Sequence, residues 1–170
     1  MIRTFSGMTP SLGPEVFVAD TAVVIGDVTL GAQANIWYGT VLRGDVHSIR
    51  IGRGTNIQDN CVVHVTRDTA PTVIGEWVTI GHGAILHGCR IADRVLVGMG
   101  AIVLDNVEVG AESLVGAGSL LPPGKAYPPG SLILGNPGRV VRPLRPEEIV
   151  GLQQSAADYV ELARRHRPER

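Results

Sequence analysis

Aliphatic side chains recur every six residues along most of this chain. Leu12, Val18, Val24, Leu30, Ile36 and Leu42 form one unbroken run. The phase slips by three residues before Ile51, Ile57 and Val63, then slips again across "TRDTAPT" before Ile74, Ile80 and Leu86. One residue is then dropped, and Ile91, Val97, Val103, Val109, Val115 and Leu121 complete eighteen hexads. Glycine often follows the aliphatic residue, as in "LGAQAN", "IGRGTN" and "IGHGAI", and the fifth position is mostly small or Val. A helix of 3.6 residues per turn does not keep a period of six on one face, and an amphipathic strand repeats every two residues. Short parallel strands wound into a solenoid do repeat this way. The pattern therefore predicts an all-β solenoid over residues 1–140, followed by a helix and tail over residues 141–170 that pack back on it. Pro146, Glu147 and Glu148 suit the helix start, and Arg164, Arg165 and His166 suit its end. Ile149, Leu152, Ala156, Tyr159, Val160 and Ala163 make its apolar stripe.

The hexads resemble those of left-handed parallel β-helices in hexapeptide-repeat proteins. That resemblance implies three hexads per triangular coil, hence about six coils here, with a hand opposite to the usual crossover rule. It also bears on "IGHGAILHGC", where His82 and His87 stand five residues apart. Neither one helix nor one strand brings residues at that spacing together. With three hexads per coil, those starting at Leu42, Val63 and Leu86 stack on one face, about 4.8 Å apart. Arg43, His64 and His87 follow them and point outward. The hexads at Ile57 and Ile80 stack on the neighbouring face and carry Asp59 and His82. The histidines are then either unrelated surface groups or halves of one site. A three-fold oligomer pressing one face against the other would bring His64 and His87 to His82 of the next copy. Three neutral imidazoles with an open fourth position are the ligand set of a catalytic zinc site, and iron or cobalt suits imidazole as well. His47 and His166 lie outside this arrangement and are expected in solvent.

Composition narrows the setting. The 170 residues suit one domain, and a net charge of −1 offers no basic surface for nucleic acid. The N-terminal residues hold no apolar leader-like run, and no stretch of 18 apolar residues suggests a membrane span. Two cysteines, Cys61 and Cys89, are too few for a disulfide framework and read as small buried residues in a reducing cytoplasm. The 22 glycines, against only 4% aromatic residues, fit a fold of tight corners.

"RGD" at 43–45, "NIQDNCVVH" at 56–64, "IGHGAILHGC" at 80–89 and a trailing "GNP" together resemble the γ-class carbonic anhydrases. The resemblance covers nearly the whole chain. It implies a homotrimer that hydrates CO2 to bicarbonate at three metal sites between subunits. His64, His82 and His87 match the ligands. Arg43 and Asp59 match an ion pair across the interface, which either glues the assembly or positions ligands. Gln58 matches the residue that hydrogen-bonds a metal-bound hydroxide, and Asn56 and Asp45 fall near it. Tyr159 either reaches a neighbour's site or belongs only to the helix stripe. Two acids of the family pattern are missing: Val46 follows Asp45 where a glutamate is expected, and the loop after His64 keeps only Asp68. Fast proton transfer is therefore in question. Other readings are a metal-free hexapeptide acyltransferase with one histidine as base, a thioester hydrolase, and a non-catalytic assembly protein with a structural metal.

Overall fold

The computed structural model describes residues 1–167. Short parallel strands wind around three faces, and each strand pairs with its counterpart one coil away. Face one stacks Ile2, Val24, Leu42, Val63, Leu86, Val103 and Leu121. Face two stacks Leu12, Leu30, Ile51, Ile74, Ile91, Val109 and Tyr127. Face three stacks Val18, Ile36, Ile57, Ile80, Val97, Val115 and Ile133. The solenoid thus has about seven turns rather than the expected six. The six-residue spacing runs on past Leu121 to Tyr127 and Ile133, where an aromatic residue interrupts the aliphatic pattern. At the other end Ile2 adds a level before the first hexad.

Inside the prism these rows meet as one core, with Leu42, Ile57, Ile80 and Leu86 fully buried. Truncating such a residue to Ala removes tightly packed methyl groups and leaves a cavity, at a cost of about 2–5 kcal/mol. Small residues at the fifth hexad position, such as Ala22, Ala34, Cys61 and Ala84, fill the narrow corners. The glycine that follows the aliphatic is required where coils nearly touch: a Cβ on Gly52 would run into the Gly75 carbonyl of the next coil.

The first slip is a bulge. Strand Val41–Ile51 pairs with Val23–Leu30, but Gly26 to Val28 lies opposite Gly44 to Ile49, so the longer strand carries three extra residues. The second slip folds outward and is closed by a bridge between Thr66 and Ala70. Neither disturbs the stacking order, so His87 pairs in register with His64.

An antiparallel hairpin of Ser131–Gly135 and Gly138–Pro143 closes the far end. The helix Pro146–His166 then returns along face three over strands Asn35–Ile36, Asn56–Ile57 and Thr79–Ile80. Leu152, Ala156, Val160 and Ala163 are its buried stripe. Arg142 holds Glu148 by two hydrogen bonds of 2.7 and 2.8 Å, and the Arg145 N–H donates to the same carboxylate. Together they bring the Glu148 pKa down to about 2. At the other end His166 is exposed, as expected, but its ring packs on Trp37 at 5.0 Å and its Nδ1 lies 3.0 Å from the Tyr38 hydroxyl. Among the described residues no helix is long and apolar enough to cross a membrane.

Candidate metal centre

Two of the three histidines meet on face one. His64 and His87 end the strands Val62–His64 and Ile85–His87 and point out from adjacent coils. Their ring centroids are 5.0 Å apart, and His64 Nδ1 lies 3.0 Å from His87 Nε2. The other nitrogen of each ring is held by a carboxylate. His64 Nε2 is 3.0 Å from Asp45 Oδ1, and His87 Nδ1 is 2.6 Å from Asp105 Oδ1. Each carboxylate has a second anchor: Arg43 donates to Asp45 Oδ2 at 2.6 Å, and the Thr66 hydroxyl donates to Asp105 Oδ2 at 2.6 Å. Burial alone would raise both acids. For Asp45 the bonds from Arg43 and His64 outweigh it, and for Asp105 those from His87 and Thr66 do, so both pKa values lie below the ordinary carboxylate range.

These bonds decide where the protons sit. A carboxylate only accepts, so the nitrogens facing Asp45 and Asp105 carry the N–H. In the neutral rings both facing nitrogens, His64 Nδ1 and His87 Nε2, are then lone pairs. Two lone pairs 3.0 Å apart repel unless a cation or a shared proton lies between them. Zinc–imidazole bonds of about 2.0–2.1 Å in a tetrahedron place neighbouring nitrogens about 3.3–3.4 Å apart. The pair is therefore close to the spacing of two ligands of one ion, and its donor set fits a divalent metal.

The third histidine stands elsewhere. His82 sits at the corner after face three, beside the positive-φ residue Gly83 and one coil from Asp59–Asn60. It is largely exposed, and its Nδ1 lies 2.9 Å from Asp59 Oδ2. Gln58, only 6% exposed, accepts from the His82 N–H through Oε1 and donates through Nε2 to Asn56 Oδ1, both at 3.2 Å. Asn56 donates in turn to Thr79 Oγ1, which lies 3.2 Å from Ser155 on the helix. A run of hydrogen bonds thus links the helix to the backbone of His82. It leaves Gln58 one free N–H and one lone pair for a ligand.

Among the described residues no three His, Cys, Asp or Glu side chains of one chain are arranged to hold a metal ion by themselves. Nor does the chain pair Arg43 with Asp59 within itself; Arg43 is bound to Asp45 and Asp59 to His82. Tyr159 packs edge-on against Trp37 at 5.4 Å, as a stripe residue does. Burial and then the nearby Asp59 charge raise its hydroxyl pKa. Val46 is half-buried against the core, and Asp68 is exposed. His47 is half-buried, with its Nδ1 accepting from the Ser48 N–H. Asp105 and Thr66 were not anticipated from the sequence. One coil beyond His87, at the same corner, the stacking order does point to Asp105.

Fold and site together define a hexapeptide-repeat solenoid with a half-buried histidine pair on one face and an exposed histidine at another corner. No family model matches the chain. It is 51% identical over 152 residues to a probable carbonic anhydrase of Methanocaldococcus jannaschii, covering 89% of this chain and 95% of that one. It is 48% identical over 166 residues to the mitochondrial gamma carbonic anhydrase 2 of Arabidopsis thaliana, covering 95% of this chain. There it spans only about 60% of the relative's length. A crystal structure of a hexapeptide transferase family protein from Anaplasma phagocytophilum superposes with a TM-score of 0.94 at 47% identity, over 98% of both chains. The fold is accordingly the left-handed hexapeptide β-helix. The chain belongs to the γ carbonic anhydrase family.

Proposed function

We propose that this protein is a metal-dependent carbonic anhydrase that interconverts CO2 and bicarbonate at sites shared between copies in a homotrimer. The observation that carries the reading is the His64–His87 pair: two converging lone pairs, each ring fixed from behind by an anchored carboxylate. His64 and His87 of one copy and His82 of the next would hold the ion, zinc in the first instance, with iron or cobalt suited to the same donors. On three imidazoles such an ion lowers the pKa of a bound water to about 7 and so supplies a nucleophile at neutral pH. The protein's own part is positioning. Gln58 turns its free amide group toward the reacting oxygen, and Asn56 holds Gln58 in place. Asp45 holds the orientation of the His64 ring. Arg43 and Asp59 exchange their present partners for each other across the interface. Tyr159 remains in the helix stripe, close enough for Asp59 to feel it.

Shape supports a ring of copies. The outward row of face one is aliphatic: Val41, Val62, Ile85, Ile102 and Leu120. Beyond the helix, face three shows Leu96 and Leu114 above a trough that reaches Gln58 and His82. Two different apolar patches on one chain suit a head-to-tail contact, which forms a ring when its rotation closes, as the three faces of the prism favour. Cys61 and Cys89, both buried and unpaired, suit a reducing compartment such as the cytoplasm.

Metal content of protein purified without an affinity-tag metal, measured beside stopped-flow CO2 hydration, tests the proposal. About one divalent ion per chain and hydration lost on chelation are expected. A folded, metal-free protein would contradict it. The Anaplasma neighbour belongs to a hexapeptide transferase family, which favours group transfer as a second reading, with an acyl group as the group tested. Acyl transfer from an acyl-CoA that survives chelation would establish that reading instead.

A further inference from the structure

Each of the three histidines touches one carboxylate, but the three carboxylates differ in origin. Asp45 lies in the bulged strand Val41–Ile51, and Asp59 lies at the His82 corner; both belong to motifs legible in the sequence. Asp105 belongs to none of these motifs. It comes from the coil beyond His87 and reaches back across the corner, while Thr66 reaches up from the coil of His64. Three successive coils are thus tied through one carboxylate. The corner is built to admit it: Gly88, at φ +59°, immediately follows His87, and a Cβ there would run into the Asp105 carboxylate.

We infer that Asp105, anchored by Thr66, is the positioning residue of His87: it holds the proton on Nδ1 and aims the Nε2 lone pair at the metal. This rests on reading His87 as a ligand. The chemistry is that of a carboxylate behind a ligating imidazole. Such a group selects the tautomer, fixes the ring plane and makes the ligating nitrogen more basic, and its loss lowers metal affinity about 10–100-fold. The second anchor matters because a carboxylate free to rotate would not define the ring plane. With Oδ2 taken by the Thr66 hydroxyl and Oδ1 by His87, both oxygens are committed.

Asp105→Asn is the sharp test because it keeps the shape. With the Thr66 hydroxyl donating to the amide oxygen as it does to Oδ2, the amide NH2 faces His87; in the double variant Asp105→Asn with Thr66→Val the hydroxyl that could hold the opposite flip is gone. An NH2 donates, so Nδ1 must accept, and the proton moves to Nε2, the nitrogen needed for the metal. Long-range 1H–15N spectra of histidine-labelled, metal-free protein report this directly. The wild type should show His87 protonated on Nδ1, and the variant on Nε2. In competition with a chromophoric chelator, zinc affinity should fall about 10–100-fold. Thr66→Val should keep the tautomer but weaken zinc several-fold, because the carboxylate loses one anchor. An Asp105→Asn protein with the wild-type tautomer and unchanged zinc affinity overturns the inference, even if its melting temperature drops, since a merely structural role would do only that. If Asp105→Asn does not fold, unchanged zinc affinity in Thr66→Val overturns it. A wild type that binds no zinc overturns the metal reading itself, and the tautomer shift then judges Asp105 independently.

Discussion

Two faces of the same prism are built to one hexad rule inside and to opposite rules outside. On face two the outward row runs Arg50, Val73, Arg90, Glu108 and Ala126. Arg90 and Glu108 stand side by side with opposite charge, and Arg50 is paired to Asp27 at 2.7 Å. Such a face is complete in water. On face one the row is Val41, Val62, Ile85, Ile102 and Leu120, with Val62 43% and Ile85 38% exposed. A contiguous apolar ladder of this kind marks a surface that another surface covers. His64 and His87 lie beside the Val62 and Ile85 rungs of that ladder, and among the described residues the outward row of face two holds no histidine. The two candidate ligands that meet in one chain thus sit on the face that a single chain leaves unfinished.

The most damaging change to that comparison is to give face one the character of face two. Val62→Asp with Ile85→Asp should lower the solution mass about threefold, from trimer to monomer. Two unpaired carboxylates would otherwise be buried at the contact. Analytical ultracentrifugation reads the mass, and circular dichroism should show the β-solenoid intact. Arg90→Ala on face two should leave the mass unchanged. Next in size, Gln58→Ala should keep the trimer and its metal but slow CO2 hydration about 100-fold, because the reacting oxygen loses its orienting group. Smaller still, hydration should rise several-fold with added imidazole buffer, since Val46 stands where a relay glutamate is expected and the loop after His64 keeps only the exposed Asp68. Buffer-independent rates would assign the relay to another residue. The smallest effect concerns the helix that covers part of face three. Glu148 titrates at about 2 in the folded chain against an ordinary 4.5. Its contribution is therefore complete above pH 4.5 and lost as pH falls toward 2. Acid unfolding followed by helix-specific ellipticity should show this loss in the wild type and not in Glu148→Gln.

Much of this was legible in the sequence, because the solenoid repeats its instructions. One aliphatic residue per six fixes the face, and counting by threes fixes the stack, so His64 and His87 were expected side by side and are. The helix Pro146–His166 follows from its end residues and stripe. The count of coils fell short because Tyr127 does inside the core what an aliphatic residue does elsewhere. The polar partners were harder to read. Asp105 reaches His87 by bending back around a corner, and Thr66 reaches Asp105 from an irregular insertion. The register places Asp105 over Gly88, one residue from His87, so only the bend back was hidden, whereas Thr66 lies outside the register and no spacing rule announces it. The aromatic anchor of Phe17, Trp37 and Tyr159 with His166 was hidden for a similar reason: it joins the first coils to the last helix.

In the proposed trimer each site takes His64 and His87 from one copy and His82 from the next. Refolding His64→Ala chains together with His82→Ala chains tests it most directly, with bound metal as the readout. Either variant alone has every site broken. In random mixtures a site is whole where a His82→Ala chain supplies His64 and His87 and its neighbour supplies His82, so about a quarter of the sites should regain metal. A mixture of His64→Ala with His87→Ala should regain none, because both losses fall on the same side of the contact. Recovery in the first mixture alone is the predicted result. No recovery in either, from variants that still form trimers, would contradict the shared site.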